Sequence, residues 1–203
     1  MATVKLAHRT GSRIRSPQPE RILSKSACVF LVLLLTAFQS AGQEPRPSES
    51  QVEAAYLYNF GKFVTFPPNR SANSDSFQIC VLGKDPFEGI LAATVRGESI
   101  NGKKISLQRI SSVQQGQDCS ILFVSSSEEG RLPAILSTAQ RLSLLTVSDM
   151  KNFAERGGVI ELVRQQDRIR FEVNLTAAQE SHLALSSELL KVAIRVLQKN
   201  SNR

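Results

Sequence analysis

Ile121-Leu122-Phe123-Val124-Ser125-Ser126-Ser127-Glu128-Glu129 is the stretch on which the fold turns. Four consecutive apolar residues between polar neighbours suit a strand buried on both faces; a strand with one wet face would alternate. The serines that follow can cap free amides, and the two acids favour the positive end of a helix dipole. Leu132, Ile135, Leu136 and Ala139 then repeat at helical spacing. A buried strand running straight into a capped helix is a unit of a parallel sheet.

The same unit recurs on either side. Upstream, Phe77 to Leu82 is a short apolar strand. Gly83-Lys84-Asp85-Pro86 turns the chain, with Pro86 placed as a first helical residue. Phe87, Ile90, Leu91 and Val95 give the next helix its apolar face, and Ile105 to Ile110 reads as a strand. Downstream, Leu142 to Val147 is a strand, and Ser148-Asp149 is expected to start a short helix ending at Gly157-Gly158. Val159 to Val163 and Arg168 to Val173 form a hairpin joined by Arg164-Gln165-Gln166-Asp167. In its second strand Ile169, Phe171 and Val173 alternate with Arg168, Arg170 and Glu172, so one face is buried and one is wet.

Helices close both ends. From Ser50, the residues Val52, Ala55, Tyr56, Asn59, Phe60, Phe63 and Val64 fall on one predicted stripe, and Pro67-Pro68 stops the helix. Leu185, Leu189, Leu190, Ala193, Val196 and Leu197 predict a last helix entered at Ser186-Ser187-Glu188. The expected fold is therefore α/β, one domain with a mixed, mostly parallel sheet flanked by helices on both faces.

The start of the chain reads differently. Lys5, Arg9, Arg13, Arg15, Arg21 and Lys25 precede the 12-residue apolar run Ala27 to Phe38, and Ser40-Ala41-Gly42 supplies small residues for a cut after Gly42. These are the three parts of a secretory signal. The run is shorter than the roughly 20 residues of a membrane span. The expected layout is a signal peptide over 1–42, a linker over 43–50, the domain over 51–199 and a tail over 200–203. An uncleaved anchor is the alternative for the leader.

Removing that leader changes the composition. It holds six of the 25 Lys and Arg and one of the 18 Asp and Glu, which leaves 19 against 17. The basic balance that would suggest nucleic acid is mostly targeting charge, so no nucleic-acid partner is expected. Cys28 leaves with the leader. Cys80 and Cys119 remain, and in an oxidising compartment the pair reads as a disulfide, either a static staple or a redox-sensitive bond.

An enzyme needs convergent titratable groups. Here the domain has a single histidine, His182, with no Cys, Asp or Glu at ligand spacing, so neither metal nor cofactor is expected. The turn at Gly83-Lys84-Asp85 sits where nucleotide folds bind phosphate but lacks the further glycines. Glu161 and Glu172, on paired strands, read as solvent-facing acids balanced by Arg164, Arg168 and Arg170. A non-enzymatic binding or regulatory module is the leading class, and Tyr58, off the helix stripe, is the aromatic expected to face a partner.

Several blocks together resemble the YfiR-like family of periplasmic proteins. They are Ala54-Ala55-Tyr56-Leu57-Tyr58-Asn59-Phe60-Gly61-Lys62-Phe63-Val64-Thr65-Phe66-Pro67, Ile79-Cys80-Val81-Leu82-Gly83-Lys84-Asp85-Pro86-Phe87, and Asp118-Cys119-Ser120-Ile121-Leu122-Phe123-Val124. Leu145-Thr146-Val147-Ser148-Asp149 and Arg168-Ile169-Arg170-Phe171-Glu172-Val173-Asn174 follow in the family's order. The resemblance implies an exported α/β domain with a disulfide at the positions of Cys80 and Cys119. It implies binding to the periplasmic domain of an inner-membrane diguanylate cyclase, which lowers cyclic-di-GMP and biofilm formation. Several members are dimers, so a homodimer is within the expectation. The namesake's second cysteine pair is missing here, and Phe66 stands where the family commonly has tryptophan. The expected partner contacts are Glu161, Ile169, Arg170 and Phe171 on the hairpin, together with Tyr58. A small-ligand receptor reporting to a membrane sensor kinase or transporter, and a hydrolase with an unrecognised site, are the competing readings.

Overall fold

A computed structural model describes residues 47–68 and 75–199. The expected signal peptide and the tail lie outside the described residues. In chain order the elements are α1 (Glu49–Phe63), β1 (Val64–Thr65), β2 (Ser76–Leu82), α2 (Ile90–Val95), β3 (Ser99–Ile100), β4 (Lys103–Ile110), β5 (Cys119–Val124) and α3 (Leu132–Arg141). After them come β6 (Leu145–Ser148), β7 (Ile160–Gln165), β8 (Arg168–Asn174), α4 (Leu175–Glu180), β9 (Ala184–Leu185), α5 (Ser187–Val192) and β10 (Arg195–Leu197).

Eight strands form one sheet in the order β10-β8-β7-β6-β5-β2-β4-β3, and β1 pairs with β9 in a separate ribbon. β2, β4, β5, β6 and β7 pair in parallel, whereas β3–β4 and the β7–β8 hairpin are antiparallel. The α/β class with a mixed, mostly parallel sheet is thus observed.

Alternation along β2 and β5 divides the core in two. Ile79, Val81, Ile121 and Phe123 point to the face covered by α1 and α2, in one cluster with Leu57, Phe60, Phe87 and Phe171. Cys80, Leu82, Leu122 and Val124 point to the other face, in a cluster with Leu132, Ile135 and Phe153. On this second face Cys80 and Cys119 are joined by a disulfide, with Cα atoms 5.8 Å apart. Bridging a separation of 39 residues restricts the unfolded chain by about 4 kcal/mol in the chain-entropy model.

Three local expectations are corrected. The buried stripe of α1 is Glu53, Ala54, Leu57, Phe60 and Gly61, not the one running through Val52, Asn59 and Phe63. Asn59 is exposed and Phe63 is 40% exposed. The helix is rotated because its small face presses on the sheet: a Cβ at Gly61 would lie 2.6 Å from Ile100 Cδ1 and 2.9 Å from Phe77 Cζ. A search for large apolar residues misses such a face, because close helix packing uses the smallest ones.

The second correction concerns residues 149–156, which are turns, not a helix. Side-chain oxygens hold that segment. Ser148 Oγ accepts from Met150 N (3.1 Å), Glu161 accepts from Asn152 N and Ala154 N (2.9 and 3.0 Å), and Asn174 Nδ2 donates to Ala154 O (2.8 Å). The Ser148 bond is local and competes with a helical ladder, and the bonds from Glu161 on β7 and Asn174 at the end of β8 hold the turns from outside the segment.

Third, the last helix stops at Val192 and the chain continues as β10. The Val192-Ala193-Ile194-Arg195-Val196 run is β-branched at every second position, which favours an extended strand.

Candidate partner-binding surface

In open α/β sheets a ligand crevice lies beyond the C-terminal ends of the strands, where the chain reverses its direction of winding. Here the reversal falls between β2 and β5. Their following loops are already bonded to each other. Lys84 N donates to Ser127 Oγ (3.0 Å), and Ser127 and Ser125 share a hydroxyl bond (3.2 Å). Gly83, at φ +87°, has no room for a side chain: a Cβ would lie 2.5 Å from Ser127 Oγ and 2.8 Å from Glu128 Oε1. Asp85 accepts from Phe87 N (2.8 Å) and from Arg109 Nε (2.7 Å), and the buried Glu128 pairs with Arg131. The Lys84 amide that a phosphate would use is committed to Ser127.

A carboxylate that sequence reasoning missed is buried on α1, near Asp149 at the end of β6. Glu53 lies on the buried side of α1 at 8% exposure. Loss of hydration pushes its carboxyl up to about 7, with like charges at Asp149, just after β6, and Glu49, one turn earlier, adding to the effect. Its signal in the sequence is a lone acid beside Ala54 and one turn before Leu57. The large-residue stripe assigned to the helix concealed it.

The expected contact residues fall in three different places. Ile169 and Phe171 are core, at 8% and 3% exposure. Phe171 stacks edge-on against Phe60 and Tyr56 (5.1 and 5.4 Å between ring centres), and Tyr56 Oη donates to Ile169 O (3.2 Å). Glu161, expected in solvent opposite Glu172, is 7% exposed. It does pair with Glu172 in register. Its oxygens, however, face inward to the 149–156 segment, as described above, while Glu172 pairs with Arg195. Tyr58 lies on another side of α1: its hydroxyl donates to Glu98 Oε2 (2.5 Å) and Lys62 Nζ sits 3.8 Å from its ring centre. The structure does not join Tyr58 and the hairpin into one patch.

Arg170 does reach solvent, with Arg168 two residues before it on the same face of β8. Among the described residues neither meets a carboxylate within ion-pair distance. Arg164, at the end of β7, is by contrast paired with Glu49 (2.5 Å) and Asp167 (3.4 Å). The hairpin turns on Gln166 and Asp167, both at positive φ (+49° and +57°). Such a two-residue turn prefers Asn-Gly, because larger residues are strained in that conformation. An open groove of about 580 Å³ runs beside this turn, lined by Pro47, Glu49, Val52, Arg168, Ile169 and Arg170 among others. The hairpin tip thus combines unpaired cations, a strained turn and a groove.

These features define an α/β domain whose strand-end crevice is internally bonded and whose unpaired cations lie on the β7–β8 hairpin. The chain belongs to the YfiR/HmsC-like family (DUF4154), whose family model matches residues 50–194. That family is one of periplasmic regulatory proteins. No curated protein matches the chain. Among solved structures it is similar to a conserved domain protein from Vibrio cholerae O1 biovar El Tor, at 11% identity and a TM-score of 0.50, covering 74% of this chain and 60% of that one. It is also similar to the ABC domain in complex with L-Trp from Streptococcus pneumoniae, at 13% identity and a TM-score of 0.49, covering 73% and 60%. The chain therefore spans about 60% of the solved chains it resembles. Among the described residues no helix is long and apolar enough to cross a membrane.

Proposed function

We propose that this chain is an exported brake on a membrane signalling enzyme. It binds the periplasmic domain of an inner-membrane diguanylate cyclase and thereby lowers cyclic-di-GMP and biofilm formation. Membership of the YfiR/HmsC-like family over residues 50–194 is the observation that carries this reading. The internally bonded strand-end crevice and the unpaired cations of β8 support it, since such a brake works by contact.

In this reading Arg170 and Arg168 supply the charged part of the contact. Ile169, Phe171 and Glu161 hold the hairpin rigid from within, and Tyr58 marks a separate contact on α1. A partner surface rich in carboxylates complements the two guanidiniums and speeds encounter. The test is purification of the tagged full-length chain from its host's membrane fraction, with cyclic-di-GMP measured in a deletion strain. A co-purifying membrane diguanylate cyclase and a raised cyclic-di-GMP level are expected. Recovery of a sensor kinase or transporter, with cyclic-di-GMP unchanged, would overturn the reading in favour of a receptor role.

A further inference from the structure

The outer edge of β10 ends the eight-stranded sheet. Ile194 N donates to Phe171 O of β8 (3.0 Å). Main-chain groups alternate sides along a strand, so those of Arg195 and Leu197 face away from β8, and among the described residues no strand pairs with them. A free edge of this kind is a template for an added strand.

An exposed apolar strip runs from the end of α5 onto this edge. Val192, Ile194 and Val196 are 66%, 43% and 40% exposed, three of the five large hydrophobic residues that stand out from the described surface. Proteins commonly guard such an edge with charge at its centre. Here the central charge is removed from play: Arg195 is held to Glu172 (Nε, 2.8 Å) and Glu155 (2.8 Å), which keep it firmly protonated and turned back onto the sheet. The remaining charges, Lys191 and Lys199, flank the strip and are exposed.

Those flanks decide the occupant. From Lys191 to Lys199 every charged residue is basic and none is acidic. Lys191 lies in the last turn of α5 and Lys199 follows β10, so a second copy brought to this edge would set an all-basic run against its own like charges, which is unfavourable. A strand with acidic ends and apolar residues between them meets both lysines and the strip together. We propose that the β10 edge accepts an extended, acid-flanked segment of a partner protein as a ninth strand. Charge disfavours a second copy at this edge and favours that partner. The inference does not depend on whether the partner is a cyclase.

The test uses the full exported chain and two short synthetic peptides, alternating valine and threonine, one flanked by glutamates and one by lysines. Fluorescence anisotropy at low salt should show the acid-flanked peptide bound more tightly, by roughly fivefold for two exposed ion pairs. The Lys191→Glu/Lys199→Glu variant should reverse that preference, and Leu197→Pro, which removes an outward N–H and leaves the Ile194 bond in place, should abolish binding of both. Circular dichroism confirms that each variant is folded. Equal affinity for the two peptides, or binding that survives Leu197→Pro, would overturn the proposal. So would a concentration-dependent dimer that Leu197→Pro dissolves, since the occupant would then be a second copy.

Discussion

At β5 and β6 almost every side chain is buried, on both faces of the sheet; at β8 buried and open positions alternate, and β10 is open for most of its length. The two regions use polar groups in opposite ways. Beyond β2, β5 and β6, the Lys84 amide is bonded to Ser127, Glu128 is paired with Arg131, and the Ser148 hydroxyl donates to Val124 O. On β8, Arg168 and Arg170 meet no carboxylate among the described residues. The contrast separates the tasks of the molecule. Its centre provides stability, and its β7–β8–β10 end carries free charge, a free edge and a groove, which in the proposed reading serve recognition.

Breaking the centre should have the largest effect. Cys80→Ser/Cys119→Ser should lower unfolding free energy in urea by about 3–4 kcal/mol, while binding of a partner to the folded fraction stays unchanged. Loss of binding at full folding would mean that the two regions are coupled.

A smaller effect, opposite in sign, is expected at Glu53. Its carboxyl is raised from 4.5 to about 7 in the folded state. The folded chain therefore holds this proton more tightly than the unfolded one, and stability declines as pH rises from 4.5 through about 7. Glu53→Gln removes the burden of burying a charge. It should stabilise the domain by about 2 kcal/mol near pH 8, with the gain shrinking to nothing below pH 4.5. A pH-independent difference between the two proteins would contradict the burial account.

The smallest effect belongs to the hairpin tip. Gln166→Asn/Asp167→Gly relieves two positive-φ residues and should raise stability by about 0.5–1 kcal/mol. If the tip serves recognition, the same change should weaken partner binding. A gain in both would move the contact away from the turn.

The centre of this domain was legible in the sequence and much of its outer end was not, for a physical reason. Ile121 to Val124 suits a strand buried on both faces, and the serines and acids after it mark a helix start, so the parallel core follows from local pattern. The 149–156 segment takes its shape from Glu161 and Asn174, residues at a distance in the chain whose bonds no local window contains. Glu161 and Glu172 look alike on paired strands, yet one is sealed under a turn and the other is held by Arg195. The ending of α5 at Val192 was legible in principle, because the β-branched alternation after it is a strand signal, although the leucines before it pointed to a longer helix. Arg170 could be read as solvent-facing from the alternation of β8. That Arg164 is paired and Arg170 is not required the structure.

The central claim is that the β8 cations make the partner contact while the crevice at the strand ends does not. Isothermal titration of the exported chain with the periplasmic domain of a membrane diguanylate cyclase from the same host tests it most directly, comparing the wild type with Arg168→Glu/Arg170→Glu. Charge reversal at two exposed contact residues should weaken binding by roughly tenfold or more, with the loss diminishing at high salt. An unchanged Kd in a folded double variant would contradict the account.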